Sequence, residues 1–432
     1  MRTPATLALL AAAAALTGCA NFRRLSSDLK MIEEDYQIRG EVTNANDYKV
    51  PVYGAVVEWD RSSGKVFSAD FKELAPGGRF LFLVKSPLNQ YVIAFADNNR
   101  SGRHEKGEPL WIHSGSGGKP APVRLDGNHR IAKVSGAVST TTRPVPELRE
   151  NLELALHGRT VEEFVSHRGI SFSVGEVADL DDPRFAATRG EDGLWTPATL
   201  AIKSGFGIYF LERYDPAKIP VLFIHGAAGS PQDWRHAMER IDRKRYQAWF
   251  YFYPSGVRLE SAATALNEGV EQLHDRYHFK RLHVVAHSMG GLVARRFVVM
   301  NAVEQGHPYI STFLTFSTPW NGHEAAAMGV KWAPAVVPSW HDMKQGSDYL
   351  SHLYGRKLKG RVDHHLFYSH RAKRSAVMPA ENDGTVSVAS ELRPEAKADA
   401  ASVQGYDETH MSILSSGAAL RRAKEIVEAA DR

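Results

Sequence analysis

The chain has 432 residues, with Lys+Arg 53 against Asp+Glu 49, a net charge of +4 and a single Cys. Near-balanced charge argues against a dedicated nucleic-acid binder, which concentrates basic residues. At 43% hydrophobic and 24% charged, the composition excludes whole-chain disorder, and one Cys excludes a disulfide scaffold or a Cys-based zinc or iron–sulfur centre.

The N-terminus begins Met1-Arg2, continues through an apolar run from Leu7 to Leu16, and ends Thr17-Gly18-Cys19. A positive start, an apolar run of roughly ten residues and small residues at its end form a secretory signal. The run is too short to span a bilayer, which takes about 20 apolar residues. Leu16-Thr17-Gly18-Cys19 resembles the bacterial lipobox, in which the Cys is lipidated and becomes the mature N-terminus. The alternative is an ordinary cleaved signal with an incidental Cys. The resemblance implies a signal peptide over 1–18, a lipid anchor at Cys19 and, because Ala20 rather than Asp follows, an outer-membrane destination in the cell envelope. Residues 19–37 are expected to be a tether.

Residues 38–135 read as a small β-sandwich-like domain. Tyr36–Val42 alternates apolar and polar, and Val56–Trp59, Arg79–Val84 and Tyr91–Ala96 are further short strands set apart by turn residues. Asp97, Asn99, Ser101 and Glu108 match calcium-loop spacing. No helix precedes them, however, and Arg100, Arg103 and Lys106 crowd the loop with positive charge, so a polar hairpin turn is the competing reading. Residues 136–204 are expected to be a linker or extension, with a helix over Pro144–His157 from the spacing of Leu148, Leu152 and Leu156.

From residue 205 strands and helices alternate, which predicts an α/β domain with a mainly parallel sheet. The expected strands are Gly207–Tyr214, Val221–His225, Tyr246–Tyr253, Arg281–His287, Ile310–Ser317 and His365–Ser369. The expected helices lie at 232–243, 260–278, 290–304 and 413–430. Leu282–His287 is an apolar strand running into Ser288, and an amphipathic helix follows. This strand–Ser–helix turn, with small residues Ala286 and Gly290 flanking His287, Ser288 and Met289, is a nucleophile elbow. Its sharp turn needs small flanks, and the helix N-terminus favours developing negative charge. Sixty residues earlier an apolar strand ends in His225-Gly226. Downstream lie Asn382-Asp383-Gly384-Thr385 and Thr409-His410-Met411. Glu381 competes with Asp383 for the acid role, while Asp363 lies before a strand. His225 is read as shaping its loop rather than as a base.

His-Gly, Ala-His-Ser-Met-Gly-Gly and Asp-Gly-Thr-Val together resemble the lipase and esterase branches of the α/β-hydrolase superfamily, over residues 205–432. The resemblance implies an α/β-hydrolase fold and a triad of Ser288, Asp383 and His410. It also implies an oxyanion hole from the backbone N–H groups of Ala227 and Met289, and ester hydrolysis with no cofactor and no metal. It implies an acyl-ester or lipid substrate and no nucleic acid, and leaves any partner of the β-domain open. An acyltransferase or phospholipase on the same triad is the alternative, followed by a non-catalytic envelope lipoprotein. The insertion at about 320–360, which contains Met328, Val330, Trp332, Val336, Val337 and Trp340, is either a lid or acyl-binding wall over Ser288 or a capping segment with core aromatics.

Overall fold

The computed structural model describes residues 20–29, 36–142, 172–371 and 381–431, apart from short gaps at 61–64, 75–77, 85–87, 102–103, 106, 116–117, 127–128 and 130. The signal segment with Cys19 and the expected helix at Pro144–His157 lie outside the described residues. The chain divides into two units, Lys30–Ser171 and a larger one formed by Met1–Leu29 with Phe172–Arg432.

Among the described residues the smaller unit is mostly β, with one short 3-10 turn at Ala45–Asp47. Its strands are β1 (Tyr36–Val42), β2 (Val52–Asp60), β3 (Lys65–Glu73), β4 (Arg79–Val84), β5 (Gln90–Ala96), β6 (Leu110–Ile112) and β7 (Ile131–Gly136). They form a three-stranded sheet in the order β4-β1-β7 and a four-stranded sheet in the order β3-β2-β5-β6. Period-two alternation sends Ile38, Phe82, Val56 and Val92 into one shared core. The calcium-spaced loop follows β5. Its oxygens are spent on the loop's own backbone: Glu108 accepts from the amides of Asn98 and Glu105, both at 2.7 Å, and Asp97 accepts from Ser101 N–H at 3.0 Å. This is the hydrogen-bonded turn of the competing reading.

The larger unit carries β8 (Phe172–Val177), β9 (Phe206–Phe210), β10 (Ile219–Ile224), β11 (Tyr246–Phe252), β12 (Leu282–His287), β13 (Ile310–Phe316), β14 (Asp363–Ser369) and β15 (Ser402–Tyr406). They make one eight-stranded sheet in the order β8-β9-β11-β10-β12-β13-β14-β15. Only the β9–β11 pair is antiparallel. Leu222 and Ile224 face a core shared with the helices Leu259–Tyr277 and Met289–Val298. Val221 and Phe223 face the opposite core under the helix Gly417–Ala430. Burial on both faces is why these strands read as continuous apolar runs. This is the α/β-hydrolase fold.

Two expected boundaries move. The unit takes in 172–204, assigned above to a linker, because β8 pairs in parallel with β9 and adds an edge to the sheet. Residues 20–29, assigned to a tether, form a helix packed on the same unit. Leu25 is fully buried there. Asp28 accepts from the amides of Ala198 at 2.8 Å and Thr199 at 2.9 Å, capping the helix Pro197–Lys203. Phe22 packs edge-on against Trp195 and Trp340, with ring centroids 5.4 and 6.3 Å away.

The chain leaves β10 toward β11 on one side and later enters β12 on the other. Strand order therefore reverses between β10 and β12, which pair with Ile224 opposite Ala286. In open α/β sheets the crevice beyond the carboxyl ends at such a reversal is the place for a ligand. Beyond these two ends come His225-Gly226 and Ser288.

Candidate active site

Ser288 joins β12 to the helix Met289–Val298 with φ 52° and ψ −131°. A non-glycine residue there costs on the order of 1–3 kcal/mol and persists only where the surroundings impose it. They do so here. Ser288 N–H donates to Phe316 C=O at 2.8 Å, and Gly291 N–H donates to Ser288 C=O at 2.9 Å. The small flanks have local causes. A Cβ on Gly290 would meet the His225 carbonyl oxygen at 2.3 Å, and one on Gly226 would meet Ser288 Cβ at 2.9 Å. The Gly226 loop and the start of the helix are thus in backbone contact.

Ser288 Oγ lies 2.8 Å from His410 Nε2, and His410 Nδ1 lies 2.6 Å from Asp383 Oδ2. All three residues are buried. Asp383 is held by its own loop: Oδ1 accepts from the amides of Thr385 at 2.8 Å and Val386 at 2.7 Å. Its backbone carbonyl receives His410 N–H at 2.9 Å. Burial pushes the Asp383 carboxyl up, but the His410 imidazole, a hydrogen bond with the Glu391 carboxyl and the Val386 amide outweigh it and hold it at about 2. Asp383 is therefore charged, and its oxygen selects the Nδ1–H tautomer that leaves Nε2 as the acceptor for Ser288. Glu381 is exposed and Asp363 opens β14; neither takes part.

His287 supports this arrangement from below. Its Nε2 donates to the His410 carbonyl at 2.9 Å. Burial, followed by the His410 charge, lowers its pKa to about 3, so it is neutral near pH 7. His225 is also buried and is lowered to about 4 by desolvation. Its Nδ1 lies 2.8 Å from Gly226 C=O, and its Nε2 accepts from Tyr253 N–H at 3.3 Å. It shapes the loop and does not reach Ser288.

A cavity of about 470 Å³ opens over Ser288, with Ala227, Met289, Trp340 and Met411 in its lining. Among the described residues, the N–H groups of Ala227 and Met289 find no intramolecular acceptor. The next amide, Ala228 N–H, is engaged with Ser255 Oγ at 3.0 Å, which holds Ala228 at φ 55°. Two unengaged donors beside a hydroxyl on a histidine–carboxylate chain are suited to binding an oxyanion.

The insertion supplies Ala325, Ala326, Trp340 and Met343 to the cavity wall. Its second half is fastened down. Buried Asp342 accepts from Leu259 N–H at 2.7 Å and pairs with Arg258 Nη2 at 2.6 Å, and Tyr349 OH donates to Leu292 C=O at 3.1 Å. The helix Glu324–Trp332 is held less: Ala326 alone is fully buried, and Met328 and Trp332 are exposed.

Asp383, Glu391 and His410 are also the one cluster of metal-ligand type among the described residues. Both His410 ring nitrogens are already engaged, by Asp383 and Ser288. Sequence reasoning missed Glu391, which sits in no motif, whereas Trp340 belongs to the insertion expected over Ser288 and does line the cavity. His323 it placed only in the insertion, yet His323 lines the cavity and caps the helix Glu324–Trp332 through Ala325 N–H at 3.1 Å.

Residues 257–395 match the model of a family described as "Alpha/beta hydrolase of unknown function". No curated protein matches the sequence. Solved structures similar to this chain include the mature form of a Bacillus licheniformis lipase, with 18% identity and TM-score 0.39 over 50% of this chain and 94% of that one. Aspergillus fumigatus lipase B has 13% identity and TM-score 0.39 over 51% and 55%. A phospholipase from Legionella pneumophila has 17% identity and TM-score 0.34 over 40% and 44%.

Proposed function

We propose, from the premise that the chain is an α/β-hydrolase, that it hydrolyses carboxylic esters through an acyl-enzyme on Ser288. The observation that carries this reading is the unbroken chain Ser288 Oγ–His410–Asp383 at 2.8 and 2.6 Å, facing a cavity with two unengaged amides. His410 takes the Ser288 proton as Oγ attacks the ester carbonyl. The oxyanion forms against Ala227 and Met289 N–H, each such donor contributing about 3 kcal/mol. His410 then protonates the leaving alkoxide. Water, deprotonated by His410, releases the acid. Asp383 stays charged throughout and stabilises the imidazolium.

Trp340, Met343 and Met411 suit an acyl chain, and the lightly held helix Glu324–Trp332 is the part of the insertion able to move. The enzyme works in the cell envelope, anchored through Cys19. The Leu16-Thr17-Gly18-Cys19 segment, with its apolar run and positive start, supports this. No described helix is long and apolar enough to cross a membrane.

Hydrolysis of p-nitrophenyl esters from short to long acyl chains tests the activity, with Ser288→Ala beside the parent. Loss in the variant is expected; equal rates would refute the reading. Replacing Cys19 with Ala should move the protein from the membrane to the soluble fraction, and retention there would refute the anchor.

A further inference from the structure

Glu391 ends the short helix Val388–Glu391 and is fully buried. Its Oε2 accepts from Ser369 N–H, at the end of β14, at 2.9 Å. Its Oε1 receives no hydrogen bond from any N–H or hydroxyl, and the Asp383 carboxyl stands within hydrogen-bonding reach of Glu391. The ligand atoms of Glu391, Asp383 and His410 all lie within 4.8 Å of one another. Among the described residues no Lys or Arg pairs with either carboxyl. Two buried carboxylates this close cannot both be ionised. Asp383 has two amides and an imidazole to hold its charge, whereas Glu391 has one amide.

We propose that Glu391 is a positioning residue that backs Asp383 with a carboxyl O–H and so sets the charge Asp383 presents to His410. The inference rests on the hydrolase reading above. Burial, followed by the Asp383 charge, pushes the Glu391 carboxyl well above the ordinary range, in keeping with a neutral acid. A structural role alone would not need an acid, because Gln or an apolar side chain fills the same space without the cost of burying a carboxyl. A neutral donor behind Asp383 draws off part of its negative charge and limits how strongly it stabilises the imidazolium. If Glu391 were ionised, it would add a second negative charge and overstabilise the imidazolium, weakening His410 as a base.

The rate of Ser288 labelling by a fluorophosphonate, measured against pH, tests this without knowledge of the substrate. Glu391→Gln keeps an acceptor for Ser369 and a donor toward Asp383, and should label within about two-fold of the parent with the same acid limb. Glu391→Leu removes the donor, and its acid limb should move up by ~0.5–1 pH unit, with labelling near neutrality ~3–10-fold slower. A folded Glu391→Leu with the parental limb would overturn the proposal. So would a downward shift in Glu391→Gln, which would mean that the native group is ionised. Should Glu391→Leu fail to fold, infrared difference spectroscopy decides. A protonated-carboxyl C=O band present in the parent and lost in Glu391→Gln supports the proposal, and no such band in the parent overturns it. Absence of any parental labelling would count against the hydrolase reading itself, leaving the infrared band to judge Glu391.

Discussion

Replacing Asp383 with Asn separates chemistry from folding. The Asn oxygen can keep both amide bonds, from Thr385 at 2.8 Å and Val386 at 2.7 Å. Its NH2 must then face His410 Nδ1, now 2.6 Å from a carboxylate oxygen. Two donors cannot share that contact. The ring has to present Nδ1 as an acceptor, so its proton sits on Nε2 and points at Ser288 Oγ. The general base is lost while the geometry survives. This exchange in a serine triad lowers kcat by about 10⁴, which is about 5.5 kcal/mol at 1.36 kcal/mol per decade. The stability term is smaller. Holding Asp383 at about 2 against an ordinary value near 3.9 is worth ~2.6 kcal/mol, a Tm shift of ~5–10 °C in a unit of this size. The variant should therefore be folded at 25 °C and four orders of magnitude slower on the best p-nitrophenyl ester. Activity within ten-fold of the parent would refute the assignment and direct attention to Glu391, through the double variant Asp383→Asn/Glu391→Gln.

The remaining predictions use other parts of the molecule. His225 and His287, lowered by burial to about 4 and 3, and His364, also lowered, stay neutral in the fold but gain protons in the unfolded chain below about pH 6.5. The unfolded state thus binds more protons, and stability falls as pH drops. Glu391, protonated in the fold, offsets one of the three. These groups alone contribute about two protons, a slope of ~2.5 kcal/mol per pH unit between about pH 6 and 4.5, and His113, His274, His323 and His365, also lowered by burial, act in the same direction; urea midpoints would read it, and a flat profile would contradict it. Gly226→Ala places a Cβ 2.9 Å from Ser288 Cβ and should lower kcat/KM by ~10²-fold with little change in Tm, whereas parental kinetics would show that the loop yields. Asp28→Ala removes a cap from the helix Pro197–Lys203 and should cost ~1 kcal/mol by urea denaturation, with no cost meaning that the helix at 20–29 is undocked. Trp340→Ala enlarges the cavity wall and should shift acyl preference toward longer chains, while an unchanged profile would place the chain elsewhere.

The parts of the site legible in the sequence are those whose chemistry forces a local pattern. The elbow needs an apolar strand, a tight turn and small flanks, so Ser288 announced itself. The loop after β10 must let the backbone reach the nucleophile, so Gly226 did too. Asp383 and His410 were assigned through the chain order of a known family; their local sequence alone would not have singled them out. The edge strands were missed for a physical reason. Phe172–Val177 has no fully buried residue and carries Gly175 at φ 85°, and Ser402–Tyr406 buries only its last residue. Edges pair on one side and bury little, so their apolar signal is faint. Phe22, Leu25 and Leu29 are spaced as one face of a helix. That signal was present, but it was overridden by the position after a signal segment. Glu391 left no trace, because its role depends on two loops that meet only in the fold.

Fluorophosphonate labelling of the parent beside Ser288→Ala, with the modified peptide identified by mass spectrometry, tests the central claim most directly. The account predicts one adduct, on Ser288, absent from the variant. Labelling at another residue, or equal labelling of both proteins, would contradict it.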